Sequence, residues 1–151
     1  MRFNTLALAA LIAAGPMAAS AAEVSSGLEP VRLDEDEVST VEGVQVACTG
    51  IGETRRDPRW LRYSVRIEVS DQHAEYLSGG DITVADAAGR PMFRVLCSDP
   101  WLLVDLDPGR YQVRGRIMGM PVAGARTANV VAPVRGQTRV VLQFNVPPVS
   151  D

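Results

Sequence analysis

DLDPGRYQVRGRI, residues 105–117, is the stretch of the chain that decides its fold class. Pro108 presets its own backbone angle and Gly109 tolerates a positive φ, so residues 107–110 are predicted to form a tight type II turn. From Tyr111 onward the side chains alternate in character, which is typical of a strand with one face on a core and one face in water. The residues predicted to face inward are Tyr111, Val113, Gly115 and Ile117, and those predicted to face outward are Gln112, Arg114 and Arg116. Because Gly115 has no side chain, it leaves room for a neighbouring side chain in the core.

The same period of two recurs elsewhere in the chain. In YSVRIEVSD, residues 63–71, the inward set is Val65, Ile67 and Val69, and the set predicted to face water is Ser64, Arg66, Glu68 and Ser70. Only Asp57 to Leu61 indicates a helical turn, with Asp57 as N-cap and Pro58 as the first residue. Six or seven short strands predict an all-β fold, an antiparallel β-sandwich. The further strands are expected at residues 44–48, within a hairpin over 81–97, and at 101–106, 126–132 and 139–146.

Residues 1–22, MRFNTLALAALIAAGPMAASAA, have the three parts of an export signal. Arg2 supplies the positive start, residues 6–14 form an apolar run, and Ala19-Ser20-Ala21 is a small-residue cleavage motif. The apolar run is shorter than the about 20 residues that a membrane-spanning helix needs. We therefore predict cleavage after Ala21 or Ala22, a periplasmic or secreted mature chain, and no membrane insertion of that chain.

Composition divides the rest of the chain into three parts. Residues 23–43 hold seven acidic residues against one arginine and few large apolar groups, which predicts a disordered N-terminal segment. Residues 44–146 contain the alternating segments and are predicted to form one β-sandwich domain, followed by a short C-terminal tail at 147–151. The mature chain of about 130 residues is long enough for one domain with a core of its own.

The charge of the chain excludes several classes of partner and of chemistry. The formal charge of −3 becomes −4 without the signal, because Arg2 is removed and no acidic residue is. A mildly acidic chain has no electrostatic footprint for nucleic acid or for an anionic membrane surface. All the basic side chains except the single histidine are arginine. The absence of lysine excludes Schiff-base chemistry and a Walker-type phosphate loop.

The chain has two cysteines, Cys48 and Cys97, and an exported chain meets an oxidising compartment. A structural disulfide between them would close a loop of about 50 residues and stabilise the fold by roughly 4 kcal/mol on the chain-entropy account. Two buried free thiols and a redox-active pair are the alternatives. The Cys-x-x-Cys spacing that is usual for a redox pair is missing.

Residues 101–119, WLLVDLDPGRYQVRGRIMG, and residues 126–144, RTANVVAPVRGQTRVVLQF, resemble the C-terminal half of carboxypeptidase-regulatory-like domains. Residues 81–93 are similar to the central hairpin of these domains as they occur in small exported proteobacterial proteins. The common Leu-x-Pro-Gly-x-Tyr pattern is supplied by Leu106, Pro108, Gly109 and Tyr111. The resemblance covers residues 46–144. It implies a transthyretin-like or immunoglobulin-like sandwich, an extracytoplasmic location and usually a non-catalytic role, and it carries over no functional residues.

The residue types that carry catalysis or hold metals are sparse. His73 is the only histidine and lies in a polar connection between strands. The nearby carboxylates Asp99, Asp105 and Asp107 are all expected at turns or on an outward face, where aspartate caps backbone amides. A zinc site would need His73, both cysteines or several carboxylates to converge. The sequence therefore predicts no enzyme, no metal site and no cofactor.

Two groups of side chains are candidates for a binding surface. Trp101 lies opposite the inward set of its strand, and with Trp60 or Tyr76 it could form a stacking platform for a sugar or peptide, unless Trp60 instead covers one end of the core. Arg114 and Arg116 are predicted to share a solvent face with Arg66, and pairing with Glu68 is the alternative role for these arginines.

These candidates lead to two functional hypotheses. The first is a non-catalytic periplasmic β-sandwich module that binds an unknown envelope protein or cell-wall component. The second is a small-ligand or carbohydrate-binding module that uses Trp60, Tyr76 and Trp101.

Overall fold

The structure, a computed structural model, describes residues 27–120 and 124–147. The predicted signal peptide and most of the predicted C-terminal tail lie outside these ranges. Within them the chain forms ten β-strands and two short 3-10 helices, which cover Glu53–Arg56 and Pro58–Arg62. The strands are β1 (Val31–Arg32), β2 (Val38–Val41), β3 (Val44–Thr49), β4 (Val65–Asp71), β5 (Gly80–Asp86), β6 (Pro91–Cys97), β7 (Trp101–Val104), β8 (Gly109–Ile117), β9 (Arg126–Ala132) and β10 (Thr138–Phe144).

The strands form two five-stranded sheets, which confirms the all-β sandwich. Sheet I has the order β1-β6-β5-β8-β9, and sheet II has the order β10-β4-β7-β3-β2. Neighbouring strands are antiparallel except for β1 with β6 and β10 with β4, which are parallel, so both sheets are mixed. The parallel pair in sheet II arises because β10 follows β9 of sheet I, and the chain reaches the edge of sheet II by a crossover instead of a hairpin.

The core lies between the inner faces of the two sheets, and the alternating residues predicted to face inward supply most of it. Gly115 confirms its expected role, because a Cβ atom there would lie 2.6 Å from Cδ1 of Leu142 on the opposite sheet. The buried set includes Val65, Ile67, Val69, Ile82, Val84, Phe93, Val95, Leu102, Val104, Leu106, Val113, Leu142 and Phe144.

The two cysteines form a disulfide, as the first of the three alternatives predicts. Their Cα atoms are 5.5 Å apart and both side chains are fully buried. Because Cys48 lies on β3 of sheet II and Cys97 on β6 of sheet I, the bond joins the two layers of the sandwich covalently.

The two turn predictions have different outcomes. The helical turn after Asp57 is confirmed, because Oδ1 of Asp57 accepts a hydrogen bond of 2.9 Å from the backbone N–H of Arg59. At residues 107–110 the backbone differs from a type II turn, since the φ of Gly109 is 154° instead of about 80°. There the hydroxyl of Tyr111 donates to the carbonyl of Asp107 at 2.8 Å.

The acidic N-terminal segment is not the disordered tail that its composition predicts. Strand β1 pairs with β6 of sheet I, and β2 pairs with β3 of sheet II, so residues 31–41 extend both sheets beyond the predicted boundary at residue 44. Leu33 and Val41 are buried in the core, and the backbone N–H of Leu33 donates to the carbonyl of Leu96 at 3.0 Å. A few well-placed apolar residues therefore outweigh the acidic composition. Residues 23–26 lie outside the described ranges.

The outward face of β4 is also not the water-exposed face that its alternation predicts. Ser64, Glu68 and Ser70 are all buried. The reason is that two connections fold over this side of sheet II. Trp60 and Tyr63 cover one part of it, and Tyr76, which bridges to Ser70, covers another.

Candidate functional site

The predicted aromatic platform does not form as a unit. Trp60 is only 3% exposed and packs with Tyr63 against Ala47 and Leu103 on the outer face of sheet II. Its indole Nε1 donates a hydrogen bond of 2.7 Å to the backbone carbonyl of Thr54. Trp60 therefore serves a small second core instead of a binding surface.

The structure does bring Tyr76 and Trp101 together. Their ring centroids are 6.1 Å apart with the rings nearly perpendicular. The Arg66 guanidinium lies 4.4 Å from the centroid of the Trp101 ring, and Gly50 packs so closely that a Cβ atom there would lie 2.8 Å from the indole. Trp101 is thus only 9% exposed, whereas Tyr76 is 44% exposed. The indole has no free face on which a sugar could stack.

A buried carboxylate, Glu68, organises this cluster. Nη2 of Arg139 donates to Oε2 of Glu68 at 2.6 Å, and the hydroxyl of Tyr76 donates to the same oxygen at 3.4 Å. Nε of Arg66 lies 2.9 Å from Oε1, an ion-pair contact whose angle does not suit a hydrogen bond. The hydrogen bond and charge of Glu68 raise the pKa of Arg139. Pairing of Arg66 with Glu68 is among the alternatives that the sequence predicts, but the burial of Glu68 and its contacts with Arg139 and Tyr76 are not, because alternation along β4 predicts a solvent-exposed Glu68.

The predicted grouping of Arg66 with Arg114 and Arg116 is wrong. Arg66 lies on β4 of sheet II, whereas Arg114 and Arg116 lie on β8 of sheet I. The outer faces of the two sheets are on opposite sides of the sandwich. Pairing with Glu68 therefore applies to Arg66 and Arg139, and Arg116 pairs instead with Asp81.

The outer face of sheet I is rich in arginine. Its five strands contain six arginines and only two acidic residues, Asp81 and Asp86. Asp86 lies at the β5–β6 turn, where Oδ1 caps the backbone N–H groups of Ala88 and Arg90. We define the arginine face as the outward-pointing side chains of Arg94, Arg110, Arg114 and Arg116.

Strand register fixes the layout of the arginine face. Thr83 on β5 is the partner of Arg94 on one side and of Arg114 on the other, so these residues form one row across three strands. Arg116 lies beside Asp81 in the next row. Arg110 lies at the start of β8 next to Val131 of β9. Because Val113 and Gly115 of β8 face the core, the alternate residues Arg110, Arg114 and Arg116 all project to the outer side, together with Gln112.

Asp81 shows how this face binds a carboxylate. Nε and Nη2 of Arg94 donate to its two oxygens at 2.8 and 2.7 Å, and Nε of Arg116 donates to Oδ2 at 2.8 Å. Burial by itself raises the pKa of Asp81, but the hydrogen bonds from Arg94 and Arg116 outweigh it and hold that pKa below its ordinary value. Glu29, in the segment before β1, adds a second negative charge near Arg94.

The side chains of Arg110 and Arg114 are exposed and form no ion pair with any described residue.

The other candidates from the sequence concern catalysis and metal binding. His73 is exposed in the connection after β4. In residues 27–120 and 124–147, no three histidine, cysteine, aspartate or glutamate side chains come together as they would in a metal site. A concavity of about 370 Å³ at one end of the sandwich is lined by Leu61, Val134 and Arg135, and it contains none of the predicted site residues.

No helix in the part of the chain that the structure describes is long and apolar enough to cross a membrane. No protein-family model matches the chain, and no curated protein matches it.

Proposed function

We propose that this chain is a non-catalytic β-sandwich module of the periplasm that binds an anionic envelope component through the arginine face. The observation that carries the proposal is the separation of charge. Sheet I presents arginines on one surface, while the whole chain has a formal charge of −3. Two of those arginines, Arg110 and Arg114, are exposed without a partner among the described residues, and an uncompensated cationic patch is typical of a surface that meets an opposite charge.

The compartment and the non-catalytic role have separate support. A buried disulfide is compatible with folding in an oxidising compartment, as is the export signal predicted at residues 1–22. The resemblance of residues 46–144 to carboxypeptidase-regulatory-like domains also favours an extracytoplasmic binding role. Such domains usually act as accessory sandwiches without an active site of their own.

The alternative hypothesis, a carbohydrate-binding module built on three aromatic side chains, has less support. Trp60 has its own hydrogen-bond partner inside a small core, and Trp101 is covered by Arg66 and Gly50. Tyr76 alone keeps an exposed ring. One exposed ring offers a sugar less aromatic surface than the three rings of the predicted platform.

Site-specific photo-crosslinking in the native envelope tests the proposal. A photoreactive residue replaces Thr127, which is exposed on β9 and is the register partner of Arg114. We expect a discrete crosslinked adduct that disappears when Arg110→Glu and Arg114→Glu are introduced together. The matched control reverses two exposed arginines away from the arginine face, Arg62→Glu and Arg135→Glu, and should leave the adduct intact. The absence of an adduct, or equal adducts from both double variants, would contradict the proposal.

A further inference from the structure

We infer that the partner of the arginine face is an extended acidic polypeptide segment whose carboxylates occur at alternate positions and lie along β8. This inference rests on the proposed function and names the chemistry of the partner.

The spacing of the guanidinium groups on β8 is the first argument. Arg110, Arg114 and Arg116 project outward from one strand, and Gln112 occupies the remaining outward position between them. Outward positions of a strand recur about every 6.8 Å. An extended peptide presents every second side chain to one side with the same repeat. A segment with carboxylates at alternate positions can therefore place one carboxylate opposite Arg110 and the next but one opposite Arg114 without bending either backbone, with the carboxylate between them opposite Gln112.

The chemistry of the guanidinium groups is the second argument. Arginine is a planar fork of donors that matches a carboxylate, and this face contains no lysine. The Asp81 carboxylate, held at 2.7–2.8 Å by Arg94 and Arg116, already shows this mode of binding within the chain. Asp81 thereby fixes the orientation of two arginines, and it leaves Arg110 and Arg114 free for a carboxylate from outside.

The neutral residues between the arginines are the third argument. Thr83, Gln112, Thr127 and Asn129 occupy outward positions on β5, β8 and β9. Their side chains both donate and accept hydrogen bonds. A polypeptide backbone offers both donors and acceptors to such groups, whereas a phosphate chain offers acceptors alone. The composition of the face therefore favours a polypeptide over a polyphosphate.

The net charge of the chain limits the range of this attraction. With a formal charge of −3, the chain repels a large polyanion at long distance, so the arginines act mainly within a Debye length of about 8 Å at physiological ionic strength. A short acidic segment that contacts the face directly suits this situation better than a long polymer. Binding should weaken strongly as salt is added.

Fluorescence anisotropy with the full mature chain tests the inference. The probe is a short labelled peptide with glutamate at every second position, separated by serine and threonine. We expect saturable binding that Arg110→Glu with Arg114→Glu weakens about tenfold or more. The control pair Arg62→Glu with Arg135→Glu should change the affinity less than about twofold, because its charge change is equal but its location differs. Unchanged circular dichroism and thermal midpoint establish that each variant is folded.

Two competitors separate this inference from the proposed function. A peptide of identical composition with its glutamates contiguous should bind several-fold more weakly, because half of its carboxylates point away from the sheet in an extended chain. Inorganic polyphosphate of matched charge should compete poorly. Equal binding of either competitor, or no binding of the alternating peptide, overturns the inference. If the photo-crosslinked adduct still depends on Arg110 and Arg114 in that case, the proposed function stands with an anionic partner of another kind.

Discussion

At the scale of single residues, Gly115 shows how much one missing side chain matters to the sandwich. It lies on the inner face of β8, and the hypothetical Cβ position is 2.6 Å from Leu142 Cδ1 of β10. Real Cβ atoms do not approach other carbons so closely, so any larger residue must displace Leu142 or separate the sheets. The glycine thus sets the local distance between sheet I and sheet II.

We expect Gly115→Ala to lower the free energy of unfolding by about 1–3 kcal/mol, the usual cost of overpacking a core. Urea unfolding measures it. Gly124→Ala is the matched control, because a Cβ atom there meets nothing within 4 Å, and it should be neutral or slightly stabilising. A double-mutant cycle with Leu142→Val should show that the two changes couple, since the smaller side chain relieves the clash. Additive effects would mean that Leu142 is not the residue displaced.

Asp99 is a second residue with an unusual environment. Its side chain is buried beside the disulfide, where its backbone N–H donates to Sγ of Cys48 at 3.4 Å and its Oδ1 has no hydrogen-bond partner among the described residues. Burial raises the pKa of Asp99 above its ordinary value, and the charges of Glu35 and Asp36 raise it further. The folded state therefore binds the proton of this carboxyl more tightly than the unfolded state does.

This raised pKa predicts how stability depends on pH. The contribution of Asp99 is fully present below the unfolded pKa of about 3.9 and is lost as the pH rises through the higher folded pKa. We expect Asp99→Asn to raise the free energy of unfolding by about 1 kcal/mol at pH 7.5, which is the low end of the cost of leaving a buried polar group unpaired. At pH 4 the increase in the free energy of unfolding should be much smaller. Urea unfolding at both pH values measures this difference. Asp105→Asn, at an exposed carboxylate, is the control. An equal effect of Asp99→Asn at both pH values would contradict the prediction.

At the scale of strands, β1 and β2 show where composition fails as a guide. Residues 31–41 are strongly acidic, yet Leu33 and Val41 point into the core. Asp34, Glu35 and Glu37 are exposed, and the half-buried Asp36 accepts a hydrogen bond of 2.6 Å from the hydroxyl of Thr49. The segment is held by strand pairing: β1 pairs with β6, which lies far along the sequence, and β2 pairs with β3, the next strand of the chain. A prediction of disorder from composition averages over the residues of the segment, and it does not include the contacts that the segment makes with the rest of the chain.

The position of Leu33 provides a test of this segment. We expect Leu33→Ala to lower the free energy of unfolding by about 2–4 kcal/mol, because the side chain is 4% exposed in the main core. Val31→Ala, at a side chain that is 43% exposed, should cost well under 1 kcal/mol. Chemical denaturation of the two variants compares them directly. A negligible effect of Leu33→Ala on the free energy of unfolding would contradict the packing of this segment and would support the disorder that its composition predicts.

Strand alternation predicts inner faces well and outer faces less well. Val65, Ile67 and Val69 are buried as predicted, because an inner face needs only a period of two and a second layer. Glu68 is buried as well, because the connection that carries Tyr76 folds back over it. The course of a connection depends on contacts between distant residues, which no local period records. For that reason the sequence predicts a solvent-exposed Glu68 and a platform that includes Trp60, whereas both side chains are buried.

At the scale of the whole molecule, the arginines that are predicted to share one solvent face lie on opposite sides of the sandwich. Arg66 and Arg114 are both outward residues of alternating strands, and the sequence alone gives them the same description. The order of strands in each sheet separates them, since β4 belongs to sheet II and β8 to sheet I. Periodicity therefore predicts that a sandwich forms, whereas the assignment of strands to sheets follows from pairing between distant segments. The arginine face is visible only after that assignment.

The disulfide is the feature whose effect extends over the whole molecule. Cys48 and Cys97 are 49 positions apart in sequence and join β3 of sheet II to β6 of sheet I. Such a bond limits the unfolded chain, and the chain-entropy account gives about 4 kcal/mol for a loop of this length, with smaller values common in practice. The bond is fully buried, so reductant reaches it mainly when the sheets separate.

We therefore expect the reduced chain to unfold with a free energy lower by about 2–4 kcal/mol than the oxidised chain. Urea unfolding with and without reductant measures this difference, after long incubation because the bond is inaccessible in the folded state. The variant with Cys48→Ala and Cys97→Ala should resemble the reduced chain or be slightly less stable, since each alanine also leaves a small cavity. Reductant should not affect that variant, which makes it the control. Equal stability of oxidised and reduced chains would mean that the contacts between the inner faces hold the two layers together without help from the covalent link.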